Sequence, residues 1–183
     1  MIGDVTVISG PSAVGKGTLV QALLAVHPEV WLSVSVTTRS PRPGEIDGLH
    51  YHFISNAEFD ELIATDGLLE WALVHGTDRY GTPAAPALAA VEQGKKVILE
   101  IEIQGARQVK KHLPNCRMVF IAPPSPQTLQ ERLRHRGTET EEQMARRLRT
   151  AADELAAVSE FDHVIVNDDL GTATAELVEL LGL

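Results

Sequence analysis

The stretch Val5-Thr6-Val7-Ile8-Ser9, followed at once by Gly10-Pro11-Ser12-Ala13-Val14-Gly15-Lys16, constrains the fold more than any other part of the chain. The β-branched run reads as a buried strand, Gly10-Pro11-Ser12 breaks it, and Leu19 to Val26 supplies a helical pattern ending at Pro28. A strand, a glycine-bounded loop and a helix in that order turn successive backbone N–H groups, and the positive end of the helix, toward a phosphate. Glycines at Gly10 and Gly15 keep side chains out of the approach, and Lys16 reaches the outer phosphates. The spacing alone would arise by chance in roughly one chain in twenty of this size; its place between strand and helix makes it specific. The next position usually offers a Ser or Thr hydroxyl to magnesium, but here it is Gly17, followed by Thr18. We therefore expect a magnesium ion to be held mainly by nucleotide phosphates and water, with Thr18 touching a phosphate.

The rest of the chain continues the alternation. Trp31 to Val36 reads as a strand running into the turn Ser40-Pro41-Arg42-Pro43-Gly44, and Tyr51 to Trp71 mixes short strand and helix signals. Pro86 to Gln93 is helical and stopped by Gly94, and Val97-Ile98-Leu99, ended by Glu100, is a buried strand. Met118 to Ala122 is another strand, after which Ser125 caps a helix beginning at Pro126 and running to about Arg136. Thr138 to Gln143 holds two overlapping capping boxes for a helix continuing to about Val158. Val164-Ile165-Val166 is the last strand and Ala173 to Leu181 the last helix. Apolar strands alternating with helices predict a parallel sheet covered by helices on both faces, an α/β fold.

Composition excludes several functions. With 16 basic and 25 acidic residues the formal charge is -9, which argues against coating nucleic acid or an anionic membrane. That charge is concentrated near the end: Asp153 to Leu183 contains Asp153, Glu154, Glu160, Asp162, Asp168, Asp169, Glu176 and Glu179, with no Lys or Arg. Cys116 is the single cysteine and cannot form an internal disulfide, and no apolar run approaches the roughly 18 residues of a membrane span. No signal peptide is readable before Asp4, so a cytoplasmic location is expected.

Beyond the loop, ordered motifs cover nearly the whole length: Ser33-Val34-Ser35-Val36-Thr37-Thr38-Arg39-Ser40-Pro41-Arg42-Pro43-Gly44-Glu45, Gly48 with Tyr51 and Phe53, Leu69-Glu70-Trp71-Ala72 and Tyr80-Gly81-Thr82. Gln104-Gly105-Ala106, Ile121-Ala122-Pro123-Pro124-Ser125, Arg136-Gly137-Thr138-Glu139-Thr140-Glu141 and Val164-Ile165-Val166-Asn167-Asp168 complete the series. In these the chain resembles guanylate kinase, of the nucleoside monophosphate kinases. The resemblance implies transfer of the γ-phosphoryl group of ATP to GMP, giving ADP and GDP in purine nucleotide metabolism, with dGMP as a further acceptor. It also implies three parts: a P-loop kinase core at 1–34, 85–125 and 157–183, a small α+β GMP-binding insertion at 35–84, and a helical lid at 126–156.

The site residues implied by the resemblance suit their ligands. Arg39 and Arg42 on one tight turn, with Tyr51 and Tyr80, look like a clamp for the GMP phosphate, since a guanidinium fork donates two parallel hydrogen bonds. Guanine presents N–H donors at N1 and N2, so a carboxylate is its natural reader, whereas adenine would set a lone pair against it. Glu70 takes that role by resemblance, with Ser35 and Thr82 as hydroxyl partners and Glu102 as a further guanine contact. Such a site can reject the wrong base by roughly 10⁴-fold. The ATP site implied is Gly10, Pro11, Ser12, Ala13, Val14, Gly15, Lys16, Gly17 and Thr18. Asn167 either approaches the adenine or forms a turn before Asp168. Arg132 and Arg136, four apart on one helix face, and Arg147 resemble lid arginines that neutralise charge on the moving phosphoryl group. Lys16, Arg39, Arg132, Arg136 and Arg147 are thus the expected catalytic set.

Two departures from the family pattern stand out. Glu102 occupies a position usually held by Asp, and Thr77-Asp78-Arg79 is about one residue longer than usual. Two rivals remain: an interaction module with this fold that binds proteins, against which Lys16 and the lid arginines argue, and a kinase for another phosphorylated small molecule. ATP and GMP are the expected partners, with no nucleic acid, membrane or obligate protein partner.

Overall fold

The computed structural model describes residues 4–74, 78–135 and 141–183, and of residues 135 and 141–147 the backbone alone. Its first sheet is parallel throughout, in the order β2 (Trp31–Leu32), β7 (Val97–Glu100), β1 (Val5–Ser9), β8 (Arg117–Ala122) and β9 (His163–Val166). β1 lies at the centre and is buried along its whole length. Alternate strand residues face opposite sides. Ile8, Ile98, Val119, Ile121 and Ile165 pack against α1 (Lys16–Val26), α5 (Pro126–His135), α6 (Glu141–Ala156) and α7 (Leu170–Leu181). Val5, Val7, Val97, Leu99 and Met118 pack against α3 (Ala84–Glu92) and α4 (Ile103–His112). The parallel sheet with helices on both sides therefore forms as the apolar strands predicted.

A second sheet has the order β4 (His52–Phe53), β3 (Val36–Thr37), β6 (Asp78–Pro83) and β5 (Leu68–Val74). Its β5–β6 pair is antiparallel, with Glu70 opposite Thr82 and Ala72 opposite Tyr80. On one face Val36 and Leu68 pack against Phe59 of α2 (Asn56–Ala64). Arg79 fastens that helix, its guanidinium lying 4.8 Å from the Phe59 ring centroid and donating to Asp60 and Asn56. The pairings Thr37–Phe53, Thr37–Tyr80 and Glu70–Thr82 place those side chains on the opposite face.

Several boundaries differ from the sequence reading. The single strand expected over Trp31 to Val36 is two short strands in different sheets: Ser33 N–H bonds Ile98 of the first sheet, while Ser35 C=O accepts from His52 of the second. The change of partner between Ser33 and Ser35 divides it. α1 begins at Lys16 rather than Leu19, because Gly15 in the left-handed conformation, φ 96°, turns the loop directly into the helix. α3 begins at Ala84, two residues before Pro86, a proline the first turn accommodates. α7 starts at Leu170, where Asp169 accepts from Thr172 N–H as its cap. Ser125 caps α5 as expected, accepting from Thr128 N–H. The capping boxes at Thr138 to Thr140 lie outside the described residues.

Candidate active site

The loop between β1 and α1 borders a cleft of about 290 Å³, lined by Pro11, Ser12, Ala13, Gly15, Lys16, Gly17, Thr18, Glu100 and Glu102. In this structure the Lys16 ammonium turns back on its own loop, donating to Gly10 C=O at 2.6 Å and Pro11 C=O at 3.3 Å. The loop is also held from behind. Asn167, buried after β9, donates through Nδ2 to Val14 C=O at 2.9 Å, and Arg132 of α5 donates to the same carbonyl at 3.1 Å and to Asn167 C=O at 2.9 Å. A Cβ at Gly15 would lie 2.6 Å from Asn167 Nδ2, so glycine is required there by contact as well as by φ. Asn167 and Arg132 thus act on the loop's backbone.

Across the cleft stand carboxylates that the sequence reading did not connect. Burial pushes the Glu100 carboxyl up against the opposing pull of Lys16. Glu154, on α6, faces Glu102, and its Oε2 is buried without a hydrogen-bond donor among the described residues. Burial, the Glu102 charge and the contact between the two carboxyls push Glu154 up to about 7. Lys16 and the Ser12 backbone pull the other way.

The second cluster lies on the open face of the smaller sheet. Arg39 donates from Nε to the Tyr80 hydroxyl at 2.8 Å and from both terminal nitrogens to Glu45 at 2.6 Å. Its guanidinium carbon is 5.0 Å from the Tyr51 ring centroid and 5.5 Å from that of Phe53. The Glu45 pair raises the Arg39 pKa further above its ordinary value, and Arg39 draws Glu45 down to about 2. Tyr51 and Tyr80 meet edge to face at 5.7 Å, and burial raises the Tyr51 hydroxyl. Arg42 contributes its backbone N–H to Glu45 while its side chain stays exposed.

Two residues along β6 from Tyr80, Thr82 donates to Glu70 Oε1 at 2.6 Å. Glu70 is 7% exposed. Burial pushes its carboxyl up, the Thr82 hydrogen bond pulls it down, and the neighbouring Glu102 charge raises it again. Ser35 is half-buried, and its backbone rather than its hydroxyl makes the contact to His52. Arg39, Tyr51 and Tyr80 thus come together, as do Glu70 and Thr82, with Glu102 between Glu70 and the phosphate loop. Arg136 lies outside the described residues, and for Arg147 only the backbone, within α6, is described.

The sequence reading missed Glu45 and Glu154 as functional neighbours and assigned no helix to Ile103–His112. The helical signal was present, since Ile103, Ala106 and Val109 recur at spacing three and are buried. A capping box at Ser55 and Glu58 likewise announced α2.

A glycine-bounded loop with its lysine on a parallel-sheet core, together with the Arg39–Tyr80–Tyr51 and Glu70–Thr82 clusters on a smaller sheet, fits a kinase of the nucleoside monophosphate class. A family model described as guanylate kinase matches residues 3–182. The chain is 57% identical to guanylate kinase of Synechococcus sp. (strain CC9311), covering 97% of this chain and 93% of that protein. It is 56% identical to the guanylate kinase of Cutibacterium acnes, covering 98% and 90%. The crystal structure of guanylate kinase from Anaplasma phagocytophilum superposes with a TM-score of 0.76 at 30% identity, covering 97% of this chain and 83% of that one. The chain belongs to the guanylate kinase family.

Proposed function

We propose that this chain transfers the γ-phosphoryl group of ATP to GMP, giving ADP and GDP. The observation that carries the reading is the pairing of two recognition clusters: the Lys16 loop, and the Arg39–Tyr80–Tyr51 group beside the buried Glu70–Thr82 pair. The first suits a nucleoside triphosphate, and the second a monophosphate carrying a base with N–H donors. The core, residues 1–34, 85–125 and 157–183, carries the ATP loop; residues 35–84 form the GMP-binding part; residues 126–156 form the lid.

The acceptor oxygen belongs to a phosphate monoester, which loses its second proton near pKa ~6, so no general base is required. The protein's work is alignment and charge stabilisation. Lys16 exchanges the carbonyls of Gly10 and Pro11 for phosphate oxygens. Arg39 offers its fork to the GMP phosphate in place of the Glu45 carboxylate. Arg132, Arg136 and Arg147 carry positive charge from the lid, whose closure excludes water as the competing nucleophile.

A magnesium ion fits this chemistry. The cleft beside the loop presents hydroxyls and carboxylates and neither His nor Cys, a donor set for a hard cation. Thr18, touching a phosphate, would help hold the nucleotide that carries it. When bound, magnesium neutralises charge on the β- and γ-phosphate oxygens.

Among the described residues no helix is long and apolar enough to cross a membrane. Incubating the pure protein with magnesium, ATP and each nucleoside monophosphate tests the assignment. ADP formation dependent on GMP is expected; ADP formation with AMP or UMP but not GMP would overturn it.

A further inference from the structure

β5 is an edge strand of the second sheet, bonded to β6 on one side only. Its outer side is met by a helix of the core. Gln108 of α4 accepts from Trp71 N–H at 3.2 Å and donates from Nε2 to Trp71 C=O at 2.9 Å. One side-chain amide thus supplies the donor and acceptor that a neighbouring strand would have provided. One turn further along the helix, His112 Nδ1 lies 2.7 Å from Leu69 C=O. Leu69 and Trp71 flank Glu70.

Gly105 lies on the same helix face, since residues 105, 108 and 112 are separated by three and four positions. A Cβ at Gly105 would stand 2.5 Å from Glu70 Oε2 and 2.9 Å from its carboxyl carbon. The absent side chain is therefore the space that the carboxylate occupies. α4 is itself fixed on the core, with Ala106 and Val109 fully buried against the parallel sheet. The helix both grips the strand on each side of Glu70 and sets the floor beneath its carboxylate.

From this geometry we infer that Gln108 is a positioning residue for base selection, and that Gly105 is a specificity-determining position. Gln108 holds the Glu70 backbone at a fixed distance from α4, and Gly105 lets the Glu70 carboxylate stand at that distance. The inference rests on Glu70 being the reader of guanine. Its substrate consequence is a preference for a purine with two adjacent N–H donors over one lacking the 2-amino group.

The test is steady-state kinetics of Gln108→Met and Gly105→Ala, with GMP and with inosine monophosphate, which lacks that amino group. Glu70→Gln and the Glu70→Gln/Gln108→Met double variant complete the set. Gln108→Met keeps side-chain length and removes both bonds. The expected result is a rise of roughly tenfold in KM for GMP with KM for ATP unchanged, and a reduced preference for GMP over inosine monophosphate. Gly105→Ala should shift the same preference without touching the Trp71 bonds. In the Glu70→Gln background, Gln108→Met should add little, because both act through one carboxylate. Equal rises in KM for ATP and GMP, an unchanged preference in both single variants, or full additivity with Glu70→Gln would overturn the inference. An unchanged preference in Glu70→Gln itself would overturn the reading of Glu70 instead.

Discussion

Arg39 holds Glu45 through both ends of its guanidinium, at 2.6 Å each, while its Nε donates to Tyr80. The planar fork is thereby set before any substrate arrives, with a carboxylate standing where the proposed GMP phosphate binds. A lysine could supply the charge but not the two parallel donors and the stacking on Tyr51. Arg39→Lys is therefore expected to raise KM for GMP about 10- to 100-fold and leave KM for ATP near its starting value. Initial-rate measurements varying each substrate separately check this.

Among the described residues the hydrogen bonds of the Lys16 ammonium go to carbonyls of its own loop, at Gly10 and Pro11, so little of the fold depends on it. Lys16→Ala should melt within a degree or two of the parent, roughly the scale of a neutral surface change. Turnover should fall by about a thousandfold, the order expected when a charge-stabilising group is removed. Retained turnover would remove Lys16 from the mechanism.

Val14 C=O receives two donors, Asn167 Nδ2 and Arg132 Nη1, and this shared carbonyl ties the phosphate loop to the far end of the parallel sheet. Asn167→Ala leaves one donor in place, so we expect a loss of about 1–2 kcal/mol in unfolding free energy. KM for ATP should rise several-fold and KM for GMP should hold. Denaturant melts together with both KM values measure it; equal changes in the two substrates would show that Asn167 supports the fold generally.

Glu154 has a native pKa near 7 against an ordinary 4.5, so between those values the folded protein binds more protons than the unfolded chain. This contribution to stability is complete below about pH 4.5, falls as pH rises toward about 7, and then stays lost. Burial does most to raise the value and Glu102 adds to it, while Lys16 and the Ser12 backbone lower it. Glu154→Gln removes the titration, so its stability relative to the parent should grow across that window and level off above it. Thermal melts of both proteins from pH 4.5 to 8.5 read the difference, and parallel curves would refute it.

What could be read from the sequence depended on how locally each feature is determined. The loop from Gly10 to Lys16 is set by neighbours a few residues apart, and it appears where the spacing placed it. The division after Ser33 was not readable, because whether Val36 belongs with Trp31 depends on His52 and Gly81, on strands from later in the chain. Arg39, Tyr51 and Tyr80 were assembled by resemblance, and the Arg39–Tyr80 hydrogen bond with the two ring contacts shows how they meet. Glu45 was visible as a motif member but not as Arg39's partner. Gln108 and Glu154 carry no local sign at all: one lies in a stretch given no helix from the sequence, the other reads as part of an acidic tail, until the helices that bear them are packed.

The Gln108 amide has one more effect, on association between molecules. Trp71 is 38% exposed and Leu73 55% exposed, on a strand whose outer edge would otherwise offer a run of unpaired peptide groups to any extended chain. Such edges invite strand addition and, from there, precipitation. By consuming the peptide groups of Trp71 in the middle of that run, a single glutamine interrupts the template, so replacing it should cost the protein colloidal stability as well as discrimination.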